Sequence, residues 1–574
     1  MKKFIALIVT VFTVAGAFSV PATQISAGAE TTTIIREEVE KAWDGTADTS
    51  WFGEKQQVFE ISDAKQLAGL AELVNKGYSF EGKEVKLTDD IIINTEMPVE
   101  EAGLMDGLSS LSYKMSETEW KPIGNQDNAF SGTFNGNCHT VKGLYVKSGE
   151  FAGLFGKMKN ATVKNLFLSE GKITGDTYMG GICAYAKETD FTNCTSNIQL
   201  LNKNAESQLY AGGIAGFADY CNFNNCVFDT SHNSSLSLNV LKSETGDIYC
   251  GGIAGNSQYG TFKVCENYSL LMGNTQNEGN VYAGGICGAG AYSIEQCRNN
   301  SGAIARADEG RAYSGGIIGL AECFGDRSII RQCVGASGYS NSSKKAYIGG
   351  VSGYGGTITD CYTVYGSQSN KNTEYSIGGI SGENAIIKNC YCIGGVTIRE
   401  DGDEESADVP THLRSGILGR TGENGSVENS FFFSNFADCA VGDKPDDKTG
   451  SLDETEITDP SFAEKLGDEY FCCENNQDDP LPHLTVCDAE IRGDINGDGK
   501  INSFDLSALR NGYCNGFKTL AGRSAGDVNE DEKLNADDFQ ALSDFIIGKK
   551  NYLKKPSGTS TGVRAVNTSI TEIK

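Results

Sequence analysis

Along residues 150–430 the apolar positions come in short runs such as "ATVKNLFL", "GTITDCYTVYG" and "AIIKNCYCIGG", each broken by Gly or Asn within a few residues. The runs are rich in β-branched residues, and none sustains the 3.6-residue period of a long amphipathic helix. Short strands and tight turns are the elements this pattern predicts. One phrase recurs within it: "YMGGICA", "YAGGIAG", "YCGGIAG", "YAGGICG", "YSGGIIG", "YIGGVSG" and "SIGGISG", with looser copies "FAGLFG" before and "RSGILG" after. The marker Gly of each copy stands at 153, 181, 213, 252, 285, 316, 350, 379 and 416, in steps of 28 to 39 residues. Periods of this size mark a repeat array. Units of about thirty residues with two or three short strands each predict a right-handed parallel β-helix, a solenoid that is mainly β. Its coils stack at about 4.8 Å, so nine coils give a rod core on the order of 40 Å long.

Two columns accompany the repeat. A Cys follows seven of the marker glycines by 11 to 17 residues: Cys194, Cys226, Cys265, Cys297, Cys333, Cys361 and Cys390. Asn precedes Cys194, Cys226 and Cys390. A small apolar side chain at one position of successive coils predicts a buried thiol ladder, because free Cys packs as a small hydrophobe. A disulfide framework is the usual reading of 19 Cys in an exported chain, but one Cys per coil in a single column is a packing pattern. Metal binding would need ligand pairs close in sequence or a His partner. Tyr stands three residues before the marker Gly at 178, 210, 249, 282, 313 and 347. Such a column is either a strip on which sugar rings stack or a core or edge ladder of stacked rings. Tyr and the following Ile are four residues apart, which on a regular strand puts both on one face and favours the core ladder.

Ahead of the array, in "FEISDAKQLAGLAELVNKGYSF", Ser62 is placed to cap a helix with Leu67, Leu70 and Val74 on one apolar face and Gly77 as its stop. Such a helix would cover the open strand edge of the first coil. The following "FSGTFNGNCHTVKGLY", then "GLFG" and the "GGIAG" units, resembles the GLUG-repeat β-helices of exported bacterial surface proteins and of the N-terminal regions of some bacterial peptidases. The resemblance covers roughly 55–487, closing with "SFAEKLGDEYFCCENNQDDPLPHL". It implies the fold, with end caps, far more than any activity.

The remaining features set the setting and narrow the chemistry. "MKK", the apolar "FIALIVTVFTVAGAFSV" and "AGA" at Ala27–Ala29 predict a signal peptide over 1–29, followed by a linker over 30–54. No later apolar run is long enough to span a bilayer. Gly is 71 of 574 residues against 9 Pro, which suits many tight turns in a regular backbone. A net charge of −28 argues against nucleic acid as partner. Acid is concentrated in 441–490, where fifteen Asp and Glu stand against three Lys. The four His form no H-E-x-x-H, and no G-x-S-x-G occurs. Glycosidase chemistry would need facing carboxylates. Asp89 and Asp90 read as structural, and the insert "REDGDEESAD" at 399–408 reads as a solvated protruding loop.

The last motif is "GDINGDGKINSFDLSAL" at 493–509. With Asp494 as position 1, Asn496, Asp498, Asn502 and Asp505 supply side-chain oxygens at 3, 5, 9 and 12, Gly499 makes the turn at 6, and the Lys500 carbonyl serves 7. A twin begins 33 residues on, with Asp527, Asn529, Asp531, the Lys533 carbonyl, Asn535 and Asp538 as ligands. Neither loop has a convincing entering helix. The pair resembles a dockerin module over 491–550, a small all-α calcium-binding domain. The resemblance implies two Ca2+ sites and a cohesin domain of a scaffoldin as partner. It places cohesin contact on Ser503, Phe504, Leu509, Arg510, Ala536 and Asp537. Glu532 occupies the turn position of the second loop, where a non-Gly residue costs about 1 kcal/mol, so the second site should be the weaker. The tail at 551–574 has a disordered composition. The expectation is a secreted, non-catalytic component of a cellulosome-like complex, whose rod binds a polysaccharide, a cell surface or a protein. The alternative is a polysaccharide lyase or glycoside hydrolase with a site assembled across coils.

Overall fold

A computed structural model describes residues 42–549, except for 100–111, 116–117, 203–204, 231–237, 371–373, 400–414, 472–480, 485–491, 498–499, 530–533 and a few single positions. The expected signal peptide, the tail and most of the 399–408 insert therefore lie outside the described residues. Helix α1 (Ala64–Asn75) has Leu67, Leu70 and Val74 fully buried. Its N-cap is Asp63 rather than Ser62: the Asp63 carboxylate accepts the Gln66 N–H at 2.9 Å, while the Ser62 N–H goes to the Gln66 side chain at 2.8 Å. Asp outcompetes the preceding Ser because its carboxylate reaches the third helical N–H and carries charge. Gly77, at φ +107, ends the helix as expected. Gly69 lies where the chain crosses the helix, and a Cβ there would sit 1.9 Å from the Asp48 carbonyl oxygen.

The repeat builds a parallel β-helix. Nearly every strand pairs in parallel with the strand one coil away, in sheets of 23, 19 and 6 strands. The register repeats without drift along the glycine column: Gly180 pairs Gly212, Gly212 pairs Gly251, Gly251 pairs Gly284, and Gly284 pairs Gly315. The second Gly explains the "GG" of the motif. A Cβ on Gly181, Gly213, Gly252, Gly285 or Gly316 would stand 1.9–2.4 Å from the carbonyl oxygen of the matching Gly in the next coil. The Gly N–H groups donate into the same bend of the next coil, Gly181 to the Gly213 carbonyl at 3.1 Å and Gly213 to Gly252 at 3.0 Å, and Gly252 and Gly285 to the first Gly of the pair, Gly284 and Gly315, both at 3.3 Å. Any side chain at this bend would separate the coils.

The same bend overturns the core reading of the tyrosines. Leu209 and Ala211 are fully buried on either side of Tyr210, so Tyr210 points outward. Ile214 is nevertheless fully buried. The Gly-Gly bend inserts a parity change between Tyr and Ile, and the column points away from the core, although its last members Tyr313 and Tyr347 are themselves buried.

The thiol column is internal. All seven column cysteines are fully buried, and no described cysteine is in a disulfide. Each thiol donates to the carbonyl two residues back, as Cys297 does to Glu295 at 3.3 Å and Cys361 to Thr359 at 3.2 Å. Sulfur also accepts from the coil before: the Cys265 N–H reaches Cys297 Sγ, and the Cys333 N–H reaches Cys361 Sγ, both at 3.4 Å. At the ladder's end Ser430 takes the same slot, accepting the Cys390 N–H at 3.1 Å. The residue before each column position is left-handed: Asn165, Asn193, Asn225, Val264, Gln296, Gln332, Asp360, Asn389 and Asn429. Asn is several-fold enriched in that conformation, which accounts for the Asn-Cys pairs. Their amides also bridge coils, Asn193 to Asn165 at 2.9 Å and Asn429 to Asn389 at 2.8 Å.

Beyond the last coil the chain turns back and lies along this corner. Helices α2 (Glu454–Ile457) and α3 (Ser461–Leu466) lead into a short hairpin of Tyr470–Phe471 with His483–Leu484. Phe462, Leu466, Tyr470 and Leu484 join Val334, Tyr362 and Tyr391 of the rod in one buried cluster. The Tyr470 hydroxyl donates to the Asn389 carbonyl at 2.9 Å, and Gln332 donates to Glu469 at 2.5 Å.

Burial pushes the thiols of Cys221, Cys250, Cys287 and Cys392 up to about 12, and those of Cys226, Cys297 and Cys361 well above their ordinary 9. Below pH 9 such thiols are neutral in both states. Between 9 and 12 the unfolded chain releases protons that the fold retains, so stability falls as pH rises, by about 1.4 kcal/mol per unit for each such thiol. Urea midpoints should be level from pH 7 to 8 and drop steeply by pH 11. A flat profile to pH 11 would contradict the buried ladder.

Candidate functional site

The twin motifs fold as loop–helix units. Helix α4 (Ser503–Asn515) follows the first loop and α6 (Ala536–Ile546) the second, with α5 (Leu520–Gly526) between them. Asn502 caps α4: its side chain accepts the Phe504 N–H at 2.8 Å, and its own N–H goes to Asp505 Oδ2, also at 2.8 Å. Asp505 and Asp538 are fully buried, and Asp494 is 9 % exposed. Asp505 Oδ1 accepts the Asn496 N–H at 3.2 Å; thirty-three residues on, Asp538 Oδ1 accepts the Asn529 N–H at 3.2 Å. The Gly497 N–H closes the first loop onto Asp494 Oδ1 at 2.9 Å. Each loop is thus folded back so that its closing carboxylate lies beside its third position.

Carboxylate, amide and carbonyl oxygens are the donors a hard cation takes, and the acid at either end of the first loop is held close to the backbone that would complete the shell. Asp494, Asn496, the Lys500 carbonyl and Asp505 fit calcium there, while the Asn502 side chain is committed to the helix cap. Asp527, Asn529 and Asp538 fit it in the second loop. Asp498, Asp531, Lys533, Asn535 and the turn residue Glu532 lie outside the described residues.

The expected cohesin-contact positions divide. Ser503, Phe504, Arg510 and Asp537 are exposed, Phe504 by 71 %. Ala536 begins α6. Leu509 is fully buried, in a core with Ile495, Phe517, Val528 and Leu542. Its side chain belongs to the module's interior and cannot meet a partner. The duplication carries the signal: Leu509 and Leu542 occupy the same place in the two copies, as do Ile495 and Val528. Apolar identity in both copies marks the core, whereas Ser503-Phe504 against Ala536-Asp537 marks surface.

On the rod, the outward tyrosines stack on one another, with centroids 4.7–5.3 Å apart and planes within 8–14° from Tyr178 to Tyr347. Their faces are therefore occupied, and only edges and hydroxyls remain for a ligand. The Tyr210 hydroxyl donates to Gln208 at 2.9 Å, and burial pushes it up to about 12. A groove of about 550 Å³ lies beside them, lined by Tyr178, Gln208, Tyr210 and Asp247. A different aromatic group is open to solvent. Tyr220, Tyr259 and Phe324 stack at 4.9 and 5.2 Å at a corner, with Tyr220 54 % and Phe324 67 % exposed. All three are left-handed, at φ 52, 55 and 50, a conformation that bulky residues rarely adopt. The sequence reading missed this corner. The 39-residue spacing of Tyr220 and Tyr259, equal to the step between Gly213 and Gly252, could have shown it.

Of the carboxylates considered for catalysis, those of the 399–408 insert lie outside the described residues, and Asp90 is tied into the structure. Asp90 accepts the Thr140 N–H at 2.8 Å, joining two coils. Glu374 and Glu383 flank Lys345 at 3.6 and 3.0 Å, and Ser376 donates to Glu383 at 2.7 Å.

Leu509→Ala should destabilise the module by about 2–5 kcal/mol, as large-to-small core substitutions do. Arg510→Ala should leave its thermal transition in place. Scanning calorimetry of the full chain distinguishes the two, and equal transitions would return Leu509 to the surface.

Residues 492–547 match the dockerin type I domain family. A curated relative from Evansella cellulosilytica, described as a Gly-rich membrane protein, is 29% identical over 137 residues, 23% of this chain and 13% of that protein. The chain thus spans about an eighth of that relative's length. A solved structure from Bacteroides ovatus, described as an immunoglobulin A1 protease, aligns with 67% of this chain and 87% of its own at 16% identity and a TM-score of 0.26, too low to carry an argument. Among the described residues no helix is long and apolar enough to cross a membrane. What the sequence, the paired loops and the family match jointly establish is a type I dockerin domain at 492–547, a calcium-binding module that supports docking to a cohesin.

Proposed function

We propose that the chain is a secreted, non-catalytic component of a cellulosome-type assembly, plugged in through its dockerin and presenting the β-helix as a glycan-binding rod. The observation that carries the docking half is the repeated geometry of the twin loops, Asn496 onto Asp505 and Asn529 onto Asp538. Two loops closed in the same way by buried carboxylates make a module whose fold depends on a cation. Two Ca2+ are bound, the weaker at the loop that carries Glu532. Ser503 and Phe504, exposed at the first turn of α4, make the principal cohesin contact, supported by Arg510 and by Asp537.

The rod's ligand meets the Tyr220–Tyr259–Phe324 corner. Tyr220 and Phe324 end the stack and are 54 % and 67 % exposed, which suits the apolar face of a sugar, and three bulky left-handed residues in one stack are costly to keep without a use. The self-stacked column from Tyr178 to Tyr347 offers hydroxyls beside that surface but no platform. The resemblance of the repeats to GLUG-type β-helices supports a presenting role.

Chelation with EDTA should abolish binding of the full chain to type I cohesins, and Phe504→Ala should weaken it at least about tenfold without loss of helix, as removal of a central aromatic anchor does. Binding that survives chelation refutes the docking mechanism. The full chain should also be retained on insoluble plant polysaccharide without releasing reducing or unsaturated sugars. Tyr220→Asn with Phe324→Asn suits the left-handed backbone, so stability should hold while retention is lost. Product release, or unchanged retention by the double variant, would overturn the rod's assigned role.

A further inference from the structure

We infer that the second to fourth coils carry a built docking surface for the chain's own dockerin, so that connector and rod form one rigid unit. Four contacts of different kinds meet there. The Asn193 side-chain amide, part of the corner ladder, donates to the carbonyls of Gly512 at 3.1 Å and Tyr513 at 2.9 Å, capping the last turn of α4. Gly516, just past that helix at φ +88, sits so close to the next coil that a Cβ would stand 2.5 Å from the Asn224 amide. Arg523 of α5 pairs with Glu266 at 2.7 Å, with the two side chains only 16% and 14% exposed. Leu520, also on α5, is 2% exposed within the apolar cluster that contains Val264.

Val264 is the informative residue. At this corner its counterparts in the other coils are Asn, Gln or Asp, polar side chains that bond along the axis and to the segments lying on the rod. Val264 is left-handed at φ 56, β-branched and fully buried. As a bare corner residue it would be disfavoured both by its backbone and by its exposure. It makes sense as an apolar seat in a cluster that also receives Leu520. Glu266, two residues on, is prepared as well: the Tyr268 hydroxyl donates to Glu266 Oε2 at 2.6 Å, leaving Oε1 for Arg523. The surface uses the end of α4 and α5, and leaves Ser503, Phe504, Arg510 and Asp537 exposed for a cohesin. A bound cohesin would therefore be held at a fixed place on the rod's flank instead of swinging on a tether.

Hydrogen–deuterium exchange and small-angle scattering on the full chain in calcium test this. In the wild type, amides of α5 and of residues 263–267 should be protected and the scattering should fit one rigid particle. Arg523→Glu should speed exchange in both segments about tenfold, as loss of a local closing equilibrium does, and enlarge the particle. Adding Glu266→Arg should restore both. Val264→Asn, which suits the corner backbone, should release the module while leaving the rod's thermal transition unchanged or raised. The inference fails if the wild type scatters as two independently moving bodies, if Arg523→Glu changes neither reading, or if the reversed pair does not restore them.

Discussion

Parallel pairing of each coil with the next, in constant register along the glycine column, is the constraint on which everything else in the rod depends. Backbone groups of one coil have their partners in the neighbouring coil, so the coils must approach to strand spacing along their whole perimeter. Where the path bends sharply this leaves no room for a Cβ, and the double glycine is the result. Where it bends through a left-handed residue, Asn and its amide kin are selected, and their side chains then bond along the axis. Inside, the space behind that corner admits a side chain the size of Cys, which satisfies its weak donor and acceptor within the ladder. Composition that looks biased residue by residue is one geometric requirement written nine times.

That requirement explains which parts of the fold were legible in the sequence. The array, its period, the thiol column and the stop of α1 at Gly77 could be read because each rests on a residue type that only one local geometry favours. The tyrosine column could not be placed by counting, because the alternation rule assumes a straight strand and the Gly-Gly bend lies between Tyr210 and Ile214. The cap at Asp63 against Ser62 turned on which side chain reaches the Gln66 N–H, a matter of one residue of phase. In the dockerin the twin loop–helix units were legible from spacing, while Leu509 was misplaced among contact residues, since a family's contact pattern does not separate surface from core as the internal duplication does. The return of the chain along the rod's flank left no periodic trace, because Tyr470, Phe462 and Leu466 pack across coils far away in sequence.

The corner ladder also gives the rod a sidedness. Its amides bond to one another but retain donors, and the returning chain uses them: Gln332 binds Glu469, and Asn429 donates to the Lys465 carbonyl at 3.0 Å. Asn193 does the same for the dockerin. One polar, periodic stripe therefore receives first the segment after the last coil and then the connector, so a single surface chemistry orders two stretches that have no strand of their own in the stack.

In a structure this repetitive, information about function resides in departures from the repeat. A column that obeys its rule needs no explanation beyond packing, and this holds for the thiols and for the self-stacked tyrosines, whose faces are already satisfied by one another. A position that breaks its column at a cost requires a compensating contact. Val264 breaks the Asn corner and shares a buried cluster with Leu520 of the dockerin. Tyr220, Tyr259 and Phe324 occupy left-handed positions where Asn or Gly would be easier, and Tyr220 and Phe324 are left 54 % and 67 % exposed. The first exception is compensated inside the molecule. The second is left largely exposed among the described residues, and that difference makes the aromatic corner the outward-looking part of the rod.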